Sequence, residues 1–175
     1  DLQQELVEQL NLPVFLQNDA SSACSAEMVF GERPLAANTL CLYLAFFIGG
    51  GLVLRGALYT GSTGNAAGFG PLQVLDLDGV SRPLIELASL SNLEDMLIAR
   101  GLSPHQMWAS PDDWDIPQDI LSRWTEQCAH ALAQAVVSTQ TILDLELVVI
   151  DGWMPRQLCD DLTKAVRDAI AKLDM

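Results

Sequence analysis

Glycine is concentrated in one short part of this chain, and that concentration restricts the fold more than any other feature. Eight of the twelve glycines lie between residues 49 and 70, and Gly49, Gly50 and Gly51 are consecutive. Glycine reaches positive φ angles and lets backbone N–H groups approach a ligand without an intervening Cβ. An apolar segment precedes the triplet and an alternating one follows soon after. The pattern predicts strands joined by a turn at the triplet. That turn is either a plain flexible hairpin or, as we favour, one that faces phosphate.

Size, hydropathy and charge narrow the class of protein. A chain of 175 residues, half of them hydrophobic and 18% charged, can form one domain with a substantial core. No apolar run reaches the roughly 20 residues that a membrane-spanning helix needs, because the glycine triplet interrupts residues 40–54. The net charge is −14, and nine Lys and Arg provide no basic stripe for nucleic acid. We therefore expect a cytoplasmic domain that contacts neither membrane nor nucleic acid.

Cysteine spacing argues against both a disulfide framework and a zinc site. Cys24, Cys41, Cys128 and Cys159 are far apart, each lies in an apolar segment, and no Cys-x-x-Cys pair occurs. The chain has only two histidines. The pattern predicts buried free thiols in a reducing compartment and no metal ligated by this chain.

Strand and helix signals alternate along the chain after an opening amphipathic helix. The predicted strands are residues 14–17, 39–47, 52–54 and 145–150, and helices are predicted over residues 20–30, from Ser91, from Pro117 and at the end of the chain. Residues 145–150 are uniformly apolar, which is typical of a strand in a parallel sheet covered on both faces. This order predicts an α/β fold with a mixed central sheet flanked by helices.

Four motifs follow one another in a recognisable order. They are Asn18-Asp19 before a small-residue helix, Ile48-Gly49-Gly50-Gly51-Leu52-Val53-Leu54, Gly61-Ser62-Thr63-Gly64-Asn65-Ala66 and Val148-Val149-Ile150-Asp151-Gly152. Together they resemble the ROK family of repressors and sugar kinases in the actin-like ATPase superfamily. The resemblance implies that residues 1–175 form a single ribonuclease H-like lobe, the carboxy-terminal one of a two-lobe protein.

The start of the chain fits that expectation. It opens without Met and directly in a helix, so we expect a piece of something longer whose amino-terminal lobe lies outside this sequence. In repressor members of the family a helix-turn-helix domain lies further upstream. DNA would then be contacted only through a domain missing from this chain.

The resemblance assigns roles to the first motif. In an active ROK kinase Asp19 would be the general base that takes the proton from the attacking sugar hydroxyl, and Asn18 would hydrogen-bond the sugar. From the residues alone, Asp19 is better explained as a helix N-cap, worth about 1 kcal/mol. The two roles are compatible, and the family pattern favours Asp19 facing a sugar or sugar phosphate.

The resemblance also implies a nucleotide site in an active kinase. Gly49, Gly50 and Gly51 would contact the phosphates of ATP, and Gly152 would lie beside the adenosine. ATP and Mg²⁺ are thus expected only if the chain is part of a kinase. Otherwise we expect this fragment to hold no cofactor and no zinc.

Several positions depart from the family pattern. Ala45-Phe46-Phe47 replace a Gly-Thr-Gly turn, which adds bulk near the phosphates and removes a hydroxyl donor. Gly68 and Pro71 replace a Glu and a His that bind sugar, and residues 76–90 lack the cysteines of the family's zinc loop. Trp153 replaces a glycine at the adenosine site, where it either fills that space or serves as a core aromatic.

These departures lead to two functional hypotheses. We favour a non-catalytic effector-binding and oligomerisation domain of a sugar-responsive transcriptional regulator. The alternative is the carboxy-terminal lobe of an ATP-dependent sugar kinase. The apolar face of the last helix, formed by Leu158, Leu162, Val166 and Leu173, is expected to need a partner. We therefore predict a homo-oligomer, most simply a dimer.

Overall fold

The computed structural model describes residues 1–31 and 34–173. Its helices are α1 (Leu2–Leu10), α2 (Asp19–Phe30), α3 (Leu90–Ala99), α4 (His105–Ala109), α5 (Gln118–Leu143) and α6 (Arg156–Leu173). Its strands are β1 (Thr39–Leu44), β2 (Ile48–Leu54), β3 (Ala57–Tyr59), β4 (Gln73–Leu75), β5 (Ser81–Pro83) and β6 (Leu147–Gly152). Within the described ranges, no helix is both long and apolar enough to span a membrane.

The central sheet has four strands in the order β3-β2-β1-β6. The pairs β3–β2 and β2–β1 are antiparallel, whereas β1 and β6 run parallel. A separate two-stranded hairpin is formed by β4 and β5. Helices cover the sheet, so the predicted α/β fold with a mixed sheet is confirmed.

The main core lies between the sheet and helices α3, α5 and α6. Leu40, Leu42 and Leu44 alternate along β1 and point to this face, where they are almost completely buried. Trp124 of α5 and Leu162 of α6 are fully buried against the same cluster. The apolar spacing of α5 and α6 therefore serves the interior of this domain.

The last helix corrects one sequence prediction. Leu162 and Val166 of α6 are buried in the domain's own core, Leu158 packs against it, and Leu173 is 45% exposed. The apolar face of α6 packs mainly on α5. It therefore does not require the partner that the sequence led us to expect. The argument for an oligomer from this helix is therefore wrong, while the oligomeric state itself stays a prediction.

Residues 14–17 were expected to form a buried strand, and this prediction is wrong. The segment has no regular structure, and Phe15 and Leu16 are 87% and 55% exposed. A strand needs a neighbour for its backbone hydrogen bonds, and no described strand pairs with this segment. The preceding helix α1 likewise has no buried residue.

The predicted strand at residues 145–150 exists with shifted ends and a different environment. It runs as β6 from Leu147 to Gly152 and pairs only with β1, at the edge of the sheet described here. Most of its side chains are half-buried or exposed. Val148 and Ile150 pack against the main core and Val149 against the Cys24 cluster on the other face, so both faces are covered, but only in part. Uniform apolarity does not reveal that the strand lies at a sheet edge.

Candidate functional site

The glycine triplet lies inside a strand, which corrects the predicted turn. Gly49, Gly50 and Gly51 pair with Tyr43, Leu42 and Cys41 as part of a continuous antiparallel ladder. The turn between β1 and β2 falls earlier, at residues 45–47. Glycine has a low strand propensity, so the sequence pattern suggested a break where pairing in fact continues.

The absent side chains of the triplet let other parts of the chain approach the sheet. A Cβ on Gly49 would lie 2.6 Å from the Ala20 Cβ, and a Cβ on Gly51 would overlap Cys24. On the opposite face, a Cβ on Gly50 would lie 2.8 Å from the Phe69 ring. These spaces are filled by protein atoms, so the triplet positions helix α2 on the sheet.

Helix α2 presents the first motif at its amino terminus. The Asn18 side-chain oxygen accepts a hydrogen bond from the Ser21 N–H at 3.1 Å, which makes Asn18 the N-cap. Asp19 is the first helical residue, and its carboxylate accepts the Ala20 N–H at 2.8 Å. The alternative in which Asp19 is the N-cap is therefore wrong. Both side chains are exposed, and a helix N-terminus favours the negative charge of Asp19.

A row of three residues crosses the sheet next to this helix start. Tyr43 of β1 pairs with Gly49 on one side and with Asp151 of β6 on the other. Burial raises the pKa of Tyr43, and the negative charges of Asp151 and Asp19 raise it further. The two carboxylates and the phenol therefore share one end of the sheet. Such a group of acceptors and one hydroxyl suits a polyhydroxylated ligand.

The next row contains Gly152. It pairs with Leu44, whose backbone oxygen and Cβ leave no room for a side chain at Gly152. The following Trp153 donates its backbone N–H to the Leu44 oxygen at 2.8 Å and its indole N–H to the Met107 oxygen at 2.9 Å. Trp153 is half-buried and packs against the main core. The structure thus places Asn18, Gly49 and Gly152 at the same end of the sheet.

The turn at residues 45–47 is tied to helix α3. The backbone N–H groups of Leu90 and Ser91 donate to the carbonyls of Ala45 and Phe46 at 3.0 and 3.1 Å. The Phe46 ring lies 4.7 Å from the Phe47 ring and 5.6 Å from the Trp108 ring, centroid to centroid. The first amides of α3 are therefore used by the protein itself, and the rings of Phe46 and Phe47, 47% and 55% exposed, stand beside the turn.

The loop that carries Gly68 and Pro71 lies against the other face of β2. Phe69 and the Ala67 backbone oxygen contact Gly50. A cleft of about 510 Å³ is lined by Asn65, Gly68 and Pro71 together with part of α5. A larger cleft of about 820 Å³ lies between α5 and α6, but none of the predicted site residues lines it. We therefore place the candidate site at the end of the sheet, where the motifs meet.

Two residues of this region escaped the sequence analysis. Period-two alternation in β1 puts Tyr43 on the same face as Cys41, but only the register with β6 brings it beside Asp151. Trp108 reaches Phe46 from a short helix about 60 residues further along the chain, and no local signal predicts that contact. The described residues contain no group of three or more His, Cys, Asp or Glu arranged to hold a metal ion.

The fold of this chain is similar to that of solved ROK kinases and of a ROK regulator. The fold matches a ROK hexokinase from Thermus thermophilus with a TM-score of 0.69 and 26% identity, over 98% of this chain and 62% of the hexokinase. It also matches a ROK family transcriptional regulator, a homologue of the E. coli MLC protein, with a TM-score of 0.69 and 21% identity, over 98% of this chain and 47% of the regulator. The fold is that of an actin-like ATPase lobe.

Sequence comparison agrees with the fold. The model of the ROK family matches residues 1–81. A glucokinase from Halalkalibacterium halodurans is 36% identical over 95% of this chain and 56% of the glucokinase. The chain belongs to the ROK family, which confirms the resemblance, and it spans about half the length of such relatives.

Proposed function

We propose that this chain is the effector-binding part of a sugar-responsive ROK transcriptional regulator and that it does not catalyse phosphoryl transfer. Both sugar kinases and a regulator are among its structural neighbours. Fold similarity to both classes cannot select between them, since one fold supports several functions. The residues at the end of the sheet distinguish the two classes.

The turn at residues 45–47 carries the proposal. A phosphate-binding turn needs exposed backbone N–H groups and small side chains, so that the anion can approach closely. Here Phe46 and Phe47 occupy the turn, and Phe46 packs against Trp108. The first N–H groups of α3 already donate to the turn's carbonyls. These residues do not fit ATP phosphates, so we assign no catalytic step to a nucleotide.

Other parts of the chain support the same view. Atoms of α2 fill the spaces beside Gly49 and Gly51, and Leu44 fills the space beside Gly152. Gly68 and Pro71 lack the side-chain hydrogen-bonding groups expected of a sugar kinase at these positions. A sensor needs only different affinities for its ligand in two states, so it tolerates these losses.

A sugar or sugar phosphate would bind at Asn18 and Asp19. Both side chains are exposed at the start of α2. Tyr43 and Asp151 add a phenol and a second carboxylate nearby, and acceptor-rich sites of this kind bind sugar hydroxyls. DNA would be contacted through a domain outside this sequence, and the proposal places the protein in the cytoplasm as a homodimer.

The kinase alternative rests on one observation. Asp19 stands exposed at a helix start, which is also a suitable position for a general base. In that case Asp19 would accept the proton of a sugar hydroxyl. An active enzyme would have to bind ATP despite the aromatic turn.

One experiment separates the two hypotheses. Protein containing these residues and both lobes is titrated calorimetrically with a panel of hexoses and hexose phosphates, and ADP formation is measured with ATP and Mg²⁺. We expect binding of at least one sugar, weakened in Asp19→Asn, and no sugar-dependent ADP. Turnover that disappears in Asp19→Asn would establish the kinase and overturn the proposal.

The predicted dimer is tested separately. Sedimentation velocity over a range of protein concentrations, with and without the bound sugar, reports the oligomeric state directly. A monomer at all concentrations would remove oligomerisation from the proposal and leave sugar binding unaffected.

A further inference from the structure

Two cysteines meet beneath α2, where the glycines of β2 let this helix lie close to the sheet. Cys24 packs directly on Gly51 because that residue has no Cβ. Gly51 is the cross-strand neighbour of Cys41, and Cys24 and Cys41 belong to the same small buried cluster with Val53. Because Gly51 has no side chain, space remains in which the two thiols come together.

A small cleft borders this pair. Its volume is about 20 Å³, which is enough for about one water-sized molecule. Both cysteines line it together with Glu27, Tyr43 and Asp151. Cys24 and Cys41 are 1% and 6% exposed but border this cleft, whereas Cys128 is fully buried within the main core and lines no part of it. A polar molecule of about the size of water therefore has room beside Cys24 and Cys41.

The two thiols differ in acidity. Hydrogen bonding by the Cys41 thiol lowers the pKa of Cys24, against the opposing effects of burial and of the Glu27 carboxylate. The same interaction, followed by burial, raises the pKa of Cys41. Cys24 is thus the better source of thiolate, which is the form of cysteine that reacts with oxidants.

We propose that Cys24 and Cys41 are a covalent modification site. A small two-electron oxidant such as hydrogen peroxide converts the two thiols to a reversible disulfide. The pair rests on the packing of α2 against β1 and β2, so the proposal does not depend on sugar binding. The bond would tie α2, which begins at Asp19, to the central sheet.

The chemistry balances in two steps. The Cys24 thiolate attacks one peroxide oxygen, the O–O bond breaks, and Cys24 becomes a sulfenic acid while the other oxygen leaves as water after protonation. The Cys41 sulfur then attacks the Cys24 sulfur, the S–S bond forms, and the sulfenic oxygen leaves as a second water. Two thiols are oxidised by two electrons, and one peroxide is reduced to two waters.

Peptide mapping after oxidation tests the proposal. The reduced, purified protein is treated with hydrogen peroxide for increasing times, free thiols are blocked with N-ethylmaleimide, and unreduced peptides are identified by mass spectrometry. We expect one linked pair, Cys24 with Cys41, that dithiothreitol restores to thiols. We expect Cys24 to be lost about tenfold faster than Cys159, whose pKa is raised by burial to about 11.

Variants assign the two roles. In Cys41→Ser the reaction should stop at a Cys24 sulfenic acid that dimedone captures, whereas Cys159→Ser should form the bond at the wild-type rate. Peptide mapping of the wild-type protein is the main test, so the proposal can still be tested if a variant fails to fold. Two outcomes overturn the proposal. Both thiols could stay reduced at a peroxide dose that oxidises glutathione in the same tube, or Cys24 could pair with another cysteine or another chain.

Discussion

The two faces of the central sheet are built by opposite means. On the face covered by α5 and α6, large side chains such as Leu42 and Trp124 fill the space between sheet and helices. On the face covered by α2, Gly49 and Gly51 remove side chains so that the helix lies close to the strands. Burial on the first face stabilises the domain, whereas close approach on the second fixes where Asn18 and Asp19 stand.

Removing the largest side chain of the first face should have the largest effect. Trp124 is fully buried, and its indole N–H donates to the Ser89 carbonyl at 3.2 Å. We expect Trp124→Ala to lower the free energy of unfolding by about 3–5 kcal/mol, because it leaves a cavity. Urea denaturation measures this change. Phe15→Ala is the matched control, since Phe15 is 87% exposed and should change stability by less than about 0.5 kcal/mol.

Adding a side chain to the second face should have the next largest effect. In Gly51→Ala the new methyl group overlaps Cys24, so α2 or β2 must shift. We expect a loss of about 1–3 kcal/mol in the free energy of unfolding. In the control Gly70→Ala, the nearest atom to the new Cβ is Ile85 Cδ1 at 3.4 Å, an ordinary contact. Equal stability of the two variants would show that the triplet is not needed for close packing.

The same contrast explains what the sequence could predict. The apolar spacing of α5 marks Ile120, Trp124, Cys128 and Leu132 as one face, and all four are buried. Helical periodicity is local, so this face is readable without the structure. The glycine triplet at residues 49–51 lies in a strand and not in the predicted turn. Its pairing with β1 depends on a strand register that local composition does not encode.

The candidate site was predictable only in part, for the same reason. Asn18 and Asp19 stand out as a helix start in front of small residues, and the structure has that helix. Tyr43, Asp151 and Trp108 join the region through sheet order and loop packing. Those contacts link residues tens of positions apart, and a single sequence carries no periodic signal for them.

The N-cap of α2 offers a smaller and more selective test. Asn18→Ala removes the hydrogen bond to the Ser21 N–H and should cost about 1 kcal/mol of unfolding free energy. Asn18→Ser keeps a capping oxygen and should restore most of that stability. If Asn18 also binds the sugar through its amide, calorimetry should show weak binding in both variants. Recovery of sugar affinity in Asn18→Ser would mean that the side chain serves only as a cap.

The smallest expected effect concerns Tyr43 and high pH. Its pKa is raised by burial and by Asp151 and Asp19, so the folded state disfavours the phenolate. The resulting stability is fully present below the unfolded pKa of about 10 and is lost as the pH rises through the folded value. Tyr43→Phe cannot ionise, so its urea midpoint should fall less steeply than that of the wild type as the pH rises above about 10.

Comparing the two proteins at each pH isolates Tyr43 from all other ionisable groups, because those groups are the same in both. At neutral pH they should differ by less than about 0.5 kcal/mol, because Phe keeps the ring. Parallel midpoints throughout the alkaline range would mean that neither burial nor the charges of Asp151 and Asp19 raise the pKa of Tyr43. The α2 face would then position Asn18 and Asp19 through packing alone, without an electrostatic link across the sheet.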